Sequence, residues 1–176
     1  MSPRPAARSD ALRAAARYWS TGVAVLTARS GDEVFAKTVS SFTTLSLDPP
    51  LISVAVAAHS PLATAVRTEG RYAVSVLTVG QQAVGRRFAT PGAGRALGMF
   101  TTVPMHTEVT GAPVLDHCLA WFDCRLQAAL PGGDHALLIG EVLAVDGRPG
   151  EPLLYHDGQY RELAAHHAMT STGANA

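Results

Sequence analysis

The chain has 176 residues, 47% of them hydrophobic, which is enough for one core and too short for two ordinary domains. Fourteen Lys and Arg balance 14 Asp and Glu, so no broad positive field exists to attract nucleic acid or an anionic membrane, and neither is expected as a partner. No apolar run approaches the roughly 18 residues of a membrane span. The opening Met1-Ser2-Pro3-Arg4-Pro5 lacks the apolar stretch of a secretory signal, and the expected location is the cytoplasm.

Taken in chain order, a flexible tail over 1–8 precedes one domain over 9–163. Ser9, Leu12, Ala15, Ala16 and Trp19 recur at helical spacing with Arg13 and Arg17 opposite, which predicts an N-terminal helix. Two β-rich runs, 23–28 and 34–39, flank the turn cluster Ser30-Gly31-Asp32 and read as a hairpin. Asp48-Pro49-Pro50 cannot extend a ladder, because proline lacks an N–H. It separates a Ser/Thr-rich loop from a buried strand over 51–57.

Ser60-Pro61 has the form of an N-cap followed by proline at the first helical position, with Gly70 as the stop. A strand over 72–77, a short helix over 81–88 with Val84 and Phe88 on one face, and a glycine-rich surface loop over 91–98 follow. Two long β-runs, 118–130 and 135–145, meet at Pro131-Gly132-Gly133-Asp134, and a last hairpin turns at Asp157-Gly158. Six or more strands with few helices and no regular strand–helix alternation predict a mainly β, antiparallel barrel, with 164–176 a flexible tail.

If 119–130 is one strand, Cys118 and Cys124 share a face about 20 Å apart at roughly 3.3 Å per residue. A disulfide needs Cα atoms within about 7 Å, so both are expected as free, buried thiols in a reducing compartment.

The chemistry concentrates between Thr38 and Pro61, where small hydroxyl side chains lie between two strands and leave room for a polar ligand. A helix starting at Ser60-Pro61 adds free N–H groups and a positive dipole end, suited to an anion. His135 follows a hairpin turn and opens a strand, which puts its imidazole at a barrel rim. Each feature has a plain counterpart: a turn, a cap, a structural histidine. Gly92 to Gly98 has one residue too many for G-x-G-x-x-G and follows no apolar strand. Walker A, C-x-x-C, H-E-x-x-H and G-x-S-x-G patterns are absent, and the histidines are too scattered to propose a metal.

Thr38-Val39-Ser40-Ser41-Phe42, Ser46-Leu47-Asp48-Pro49-Pro50-Leu51, Tyr72 to Leu77, Arg87-Phe88-Ala89, Gly133-Asp134-His135 and Ile139-Gly140-Glu141-Val142 occur in that order. Together they resemble the flavin reductase family over nearly the whole chain. The resemblance implies an FMN-binding split barrel of Greek-key type with a few short flanking helices. It implies an oxidoreductase that reduces FAD or FMN with NADH, ahead of NADPH, and supplies reduced flavin to a partner flavin-dependent monooxygenase. A homodimer with each flavin near the subunit boundary is also implied.

Carried onto this chain, flavin ring and ribityl contacts fall on Thr38, Val39, Ser40 and Ser41, and phosphate contacts on Ala55, Val56, Ala57 and Ser60. Arg87 and Phe88 are expected to close over the flavin, Tyr155 and Tyr160 to approach it from the last hairpin. His135 is the candidate catalytic residue, orienting the nicotinamide without acid–base chemistry. Where many members have Gly-x-Thr, this chain has Ala36-Lys37-Thr38. Lys37 either faces the flavin's pyrimidine edge or is a solvated strand residue. Two alternatives remain at this point: a flavin carrier or accessory subunit that does not oxidise nicotinamide, and a protein whose bound flavin oxygenates a substrate itself.

Overall fold

A computed structural model of the chain describes residues 8–90 and 102–164; the expected loop over 91–98 and most of both expected tails lie outside them. Helix α1 (Ser9–Ala16) leads into β1 (Thr21–Gly22), β2 (Ala24–Ser30) and β3 (Glu33–Val39). β4 (Thr43–Leu47) and β5 (Pro50–Ala57) form the next hairpin, and α2 (Pro61–Glu69) carries the chain to β6 (Arg71–Val76). A 3₁₀ turn over Val79–Gln81 and α3 (Gln82–Ala89) follow. The rest is β: β7 (Met105–Thr107), β8 (Pro113–Leu115), β9 (Ala120–Gly132), β10 (His135–Gly147), β11 (Leu154–His156) and β12 (Gln159–Arg161).

Seven strands make one antiparallel sheet in the order β3-β2-β6-β9-β10-β5-β4. The two end strands, β3 and β4, are consecutive in the chain and separated only by Ser40, Ser41 and Phe42. Laid flat, six inter-strand gaps would hold those ends about 29 Å apart. The four Cα steps from Val39 to Thr43 reach at most about 15 Å. The sheet therefore curls until its edges nearly meet, and the tripeptide spans the split.

The curl encloses a core in which Phe35 and Val39 from one end of the sheet meet Ile52, Val54 and Val56 from the other. Helix α2 fills the mouth with Leu62, Ala63, Ala65 and Val66. Its limits are those the sequence implies: the Ser60 side chain accepts from the Ala63 N–H at 3.1 Å, Pro61 sits in the first turn, and Gly70 closes the helix at φ 66°. A second core lies between the sheet and α3, where Ala36 and Val25 pack with Leu77, Phe88 and Leu153.

Two sequence expectations change. The Ser/Thr-rich segment before Asp48 is not wholly a loop, since Thr43–Leu47 pairs with β5 as an edge strand. Its exposure hides the apolar alternation by which strands are recognised. The long strand β9 begins at Ala120, so Cys118 precedes it; both cysteines are free and buried, and burial pushes the Cys124 thiol up to about 12.

Tight packing marks the closed side of the sheet. A Cβ on Gly140 would lie 2.3 Å from the Tyr72 hydroxyl oxygen and 3.0 Å from the Cys124 Cβ, so Tyr72 reaches across only because position 140 is bare backbone. Tyr72 is fully buried and its hydroxyl has no hydrogen-bond partner among the described residues. Burial pushes its ionisation far above the usual phenol range.

Candidate functional site

The split leaves two strand edges without a strand partner: the outer side of β3, and the part of β5 beyond Ser53 that β4 does not reach. Unpaired edge backbone presents a row of N–H and C=O groups. A cavity of about 590 Å³ lies along these edges, lined by Phe35 through Ser41 on one side and by Ala55, Val56 and Ala57 on the other. Ser60, Pro61 and Leu62 open into it from the α2 N-terminus, with Thr90 and His135 at the rim. Its volume is that of a small-molecule site.

Ser41 holds the split together. Its hydroxyl donates to the Ala55 carbonyl at 2.8 Å and accepts from the Ala55 N–H at 3.1 Å, taking the place of the β4 residue that would otherwise pair there. The Thr38 hydroxyl donates to the Gly85 carbonyl at 2.7 Å and fastens β3 to α3. The Ser60 hydroxyl donates to the Ala57 carbonyl at 2.8 Å while it caps α2. Three hydroxyls of the cluster are thus committed to shaping the cavity. That of Ser40, exposed at the start of the link, makes no hydrogen bond within the described residues and borders three neighbouring cavities.

At the α2 N-terminus, Pro61 has no N–H and the Ala63 N–H is used by Ser60. The Leu62 N–H remains as a first-turn donor, and Leu62 is among the residues that line the cavity. Lys37 is half-exposed and lies in the lining of the cavity. Its ammonium donates to the Ala89 carbonyl at 2.8 Å, satisfying an orphan carbonyl at the negative end of α3, and retains two further N–H donors.

His135 opens β10 opposite Ala57, next to the two-residue turn Gly133-Asp134. Gly133 adopts φ 70°, a backbone conformation suited to glycine at the first turn position. The His135 Nδ1 lies 2.7 Å from the Asp134 carboxylate, and this hydrogen bond holds the Asp134 carboxyl below its usual range. An ionised carboxylate only accepts, so Nδ1 carries the proton and Nε2 is left for a ligand.

The remaining residues singled out in the sequence divide. Phe88 is fully buried in the second core and lines none of the cavities, because the face of α3 that packs on the sheet is set by Gly85 and Phe88, one turn apart. The Arg87 guanidinium donates to the Thr102 hydroxyl at 2.6 Å and borders neither the main cavity nor its neighbour. Arg86, not singled out from the sequence, stands in that neighbouring cavity with Tyr155 and Tyr160. Of the pair expected to close over the flavin, Phe88 is a core anchor, and Arg87 bonds Thr102. Thr90 and Leu62 were also missed, although for Leu62 the proline before it at the first helical position is a readable signal.

The donor set suits a planar, anionic heterocycle. It combines strand-edge backbone, small hydroxyls, apolar walls from Val39, Val56 and Leu62, and the cations Lys37 and His135 when protonated, with no carboxylate in the lining. The described residues contain no cluster of metal-ligating side chains.

Comparison with known proteins agrees. The flavin reductase like domain family matches residues 16–164. The chain is 38% identical over 156 residues to the reductase component of 4-hydroxyphenylacetate 3-monooxygenase of Thermus thermophilus, covering 88% of this chain and 96% of that one. It is 36% identical over 152 residues to the FMN reductase (NADH) SmoA of Agrobacterium fabrum, covering 86% and 84%. The structure of BorF, the flavin reductase component of a bacterial two-component tryptophan halogenase, superposes with a TM-score of 0.83 at 35% identity, covering 90% and 100%. With the family model spanning both strand edges of the split, α2 and the His135 turn, the chain belongs to the flavin reductase like domain family.

Proposed function

We propose that this protein is an NAD(P)H:flavin oxidoreductase that favours NADH, reduces FAD or FMN, and releases reduced flavin to a partner monooxygenase. The observation that carries the reading is the cavity at the split, carboxylate-free and edged by the outer side of β3 and the end of β5, neither of which has a strand partner there. When bound, the flavin supplies the redox chemistry by accepting a hydride from the nicotinamide, a transfer that asks the protein for alignment rather than for an acid or base.

The proposed roles of the residues are supported by where they stand. Backbone groups of Lys37 through Ser41 provide donors and acceptors for the polar edge of a ring, and the hydroxyl of Ser40 adds one more. Ala55, Val56 and Ala57 form the facing wall, held in place by Ser41. The α2 N-terminus, through the Leu62 N–H and the helix dipole, receives a phosphate. Lys37 places positive charge at the rim, where negative charge develops on the ligand. Nε2 of His135 accepts a hydrogen bond from an amide group such as the nicotinamide carboxamide, with Asp134 keeping the tautomer.

No helix among the described residues is long and apolar enough to cross a membrane. We place the protein in the cytoplasm, where nicotinamide and flavin are at hand and its two thiols remain free. Trp19 and Leu47 are 76% and 91% exposed, and such apolar surface fits a homodimer. The oxidation of NADH and of NADPH by purified protein, with FAD, FMN or no flavin, tests the function. Saturable, flavin-dependent oxidation is expected. No oxidation with either nucleotide, despite flavin binding, would overturn the proposal in favour of a carrier.

A further inference from the structure

A cavity of about 430 Å³ lies between the β2–β3 hairpin and the segment that carries β7, and it shares no lining residue with the cavity at the split. Arg29 and Val34 line it from the hairpin, where they are cross-strand partners; Val103 through Thr107 and Pro113 complete it. Arg29 is half-buried, and its guanidinium makes no hydrogen bond or ion pair among the described residues. A cation withdrawn from water without a partner is costly, so such a group is poised to accept one.

The acids around the cavity are already engaged. Carrying the β2–β6 register two residues further sets Arg71 across from Arg29. Arg71 lies 3.4 Å from Glu69, which also accepts from the Ser30 hydroxyl at 2.8 Å. His106 engages the two acids beside β7 and β8, with Nδ1 2.5 Å from Asp116 and Nε2 3.3 Å from Glu108. No carboxylate stands in the lining itself. The walls are otherwise apolar: Val34, Val103 and Met105, with Pro104 and Pro113 adding ring carbons and no N–H. The Thr107 hydroxyl is the one further uncharged side-chain donor in the lining.

These features select a ligand class. The volume is that of a small-molecule site, and its apolar walls ask for a hydrocarbon body. The guanidinium fork matches a carboxylate in bidentate fashion. A phosphate monoester, with nearly two charges, would leave one of them uncompensated beside a single free cation. We infer that Arg29 anchors a second binding site, which takes a monocarboxylic acid with an apolar body. The inference goes beyond the flavin reductase reading and does not depend on it.

Binding followed by NMR tests it, with benzoate as the probe, benzamide as its uncharged counterpart and phenyl phosphate as the doubly charged one. Benzoate is expected to bind with a dissociation constant on the order of 1 mM and to shift the amide signals of Val103, Met105, His106 and Thr107. Benzamide and phenyl phosphate are each expected to bind at least about 5-fold more weakly. Arg29→Gln should weaken benzoate on the order of 10-fold. Val34→Glu keeps Arg29 but sets a carboxylate across the ladder from it, and should block benzoate to a similar extent. Thermal melts check that both variants fold, and Val34→Glu decides the matter if Arg29→Gln does not. Benzamide binding as tightly as benzoate, or benzoate affinity unchanged in the folded variants, would overturn the inference. So would the absence of benzoate binding up to about 20 mM, or shifts confined to Lys37 through Ser41 and His135, which would put the acid in the cavity at the split. Tighter binding of phenyl phosphate through Arg29 would overturn it in favour of a phosphate site.

Discussion

The closed side of the sheet and its split are held by different forces. Across β6, β9 and β10, every strand has two neighbours, and Tyr72, Cys124 and bare Gly140 interlock with no space for a methyl group. At the split, single side chains do the holding: Ser41 tethers the end of β5 through Ala55, while Thr38 on Gly85 and Lys37 on Ala89 fasten β3 to α3. Close packing resists any change of volume, whereas hydroxyl-to-backbone bonds at a half-exposed seam exchange readily with water or with a ligand. Stability sits on one side of the barrel and binding on the other.

The comparison can be broken from either side. Gly140→Ala forces Tyr72 out of place and is expected to cost about 1 to 3 kcal/mol of unfolding free energy, read as a lower denaturant midpoint. A midpoint within error of wild type would mean that the closed side yields as easily as the split. Ser41→Ala removes both bonds to Ala55 at an exposed position, so stability should fall by no more than about 1 kcal/mol. Flavin affinity should fall further, on the order of 10-fold by titration, since the β5 wall loses its tether. The reverse order, a large stability loss with unchanged flavin affinity, would make the split a structural element only.

The smallest effect is expected at the Asp134–His135 pair. The Asp134 carboxyl ionises below its ordinary 3.8 in the folded protein, chiefly through the His135 hydrogen bond. Because the folded value is the lower one, its contribution is present above the ordinary value and is lost as pH falls through the folded one. Asp134 is almost wholly exposed, so the contribution to stability is slight. Carboxyl titration by NMR should show Asp134 rising toward 3.8 in His135→Gln. An unchanged titration would show that the pair does not set the imidazole tautomer.

What was legible in the sequence was local. Ser60-Pro61 with Gly70, the Gly133-Asp134 turn, and Asp157-Gly158 with φ of 48° and 75° carry their conformations in neighbouring residues, and the structure repeats them. The edge strand Thr43–Leu47 was not legible, because it exists only by pairing with β5 and buries almost nothing. The same holds within the site. That Thr38, Ser40 and Ser41 border the cavity follows the family motif, but which hydroxyl remains uncommitted depends on Gly85 and Ala55, 47 and 14 residues away. In α3, the one strongly apolar residue of Arg86-Arg87-Phe88 was bound to face the core, and that helical phase carries Arg86 to the cavity side.

The three residues that join β3 to β4 have one more consequence. Since Ser40 and Ser41 are at once the hinge of the curled sheet and the floor of its ligand cavity, anything bound there also latches the two edges together. By mass action, a flavin at a hundred times its dissociation constant adds about 2.7 kcal/mol to the folded state. A reductase that must surrender its product cannot keep that latch shut, so each departure of reduced flavin takes this stabilisation away. Thermal tolerance in the cell would then rise and fall with the flavin pool, a property of supply rather than of sequence.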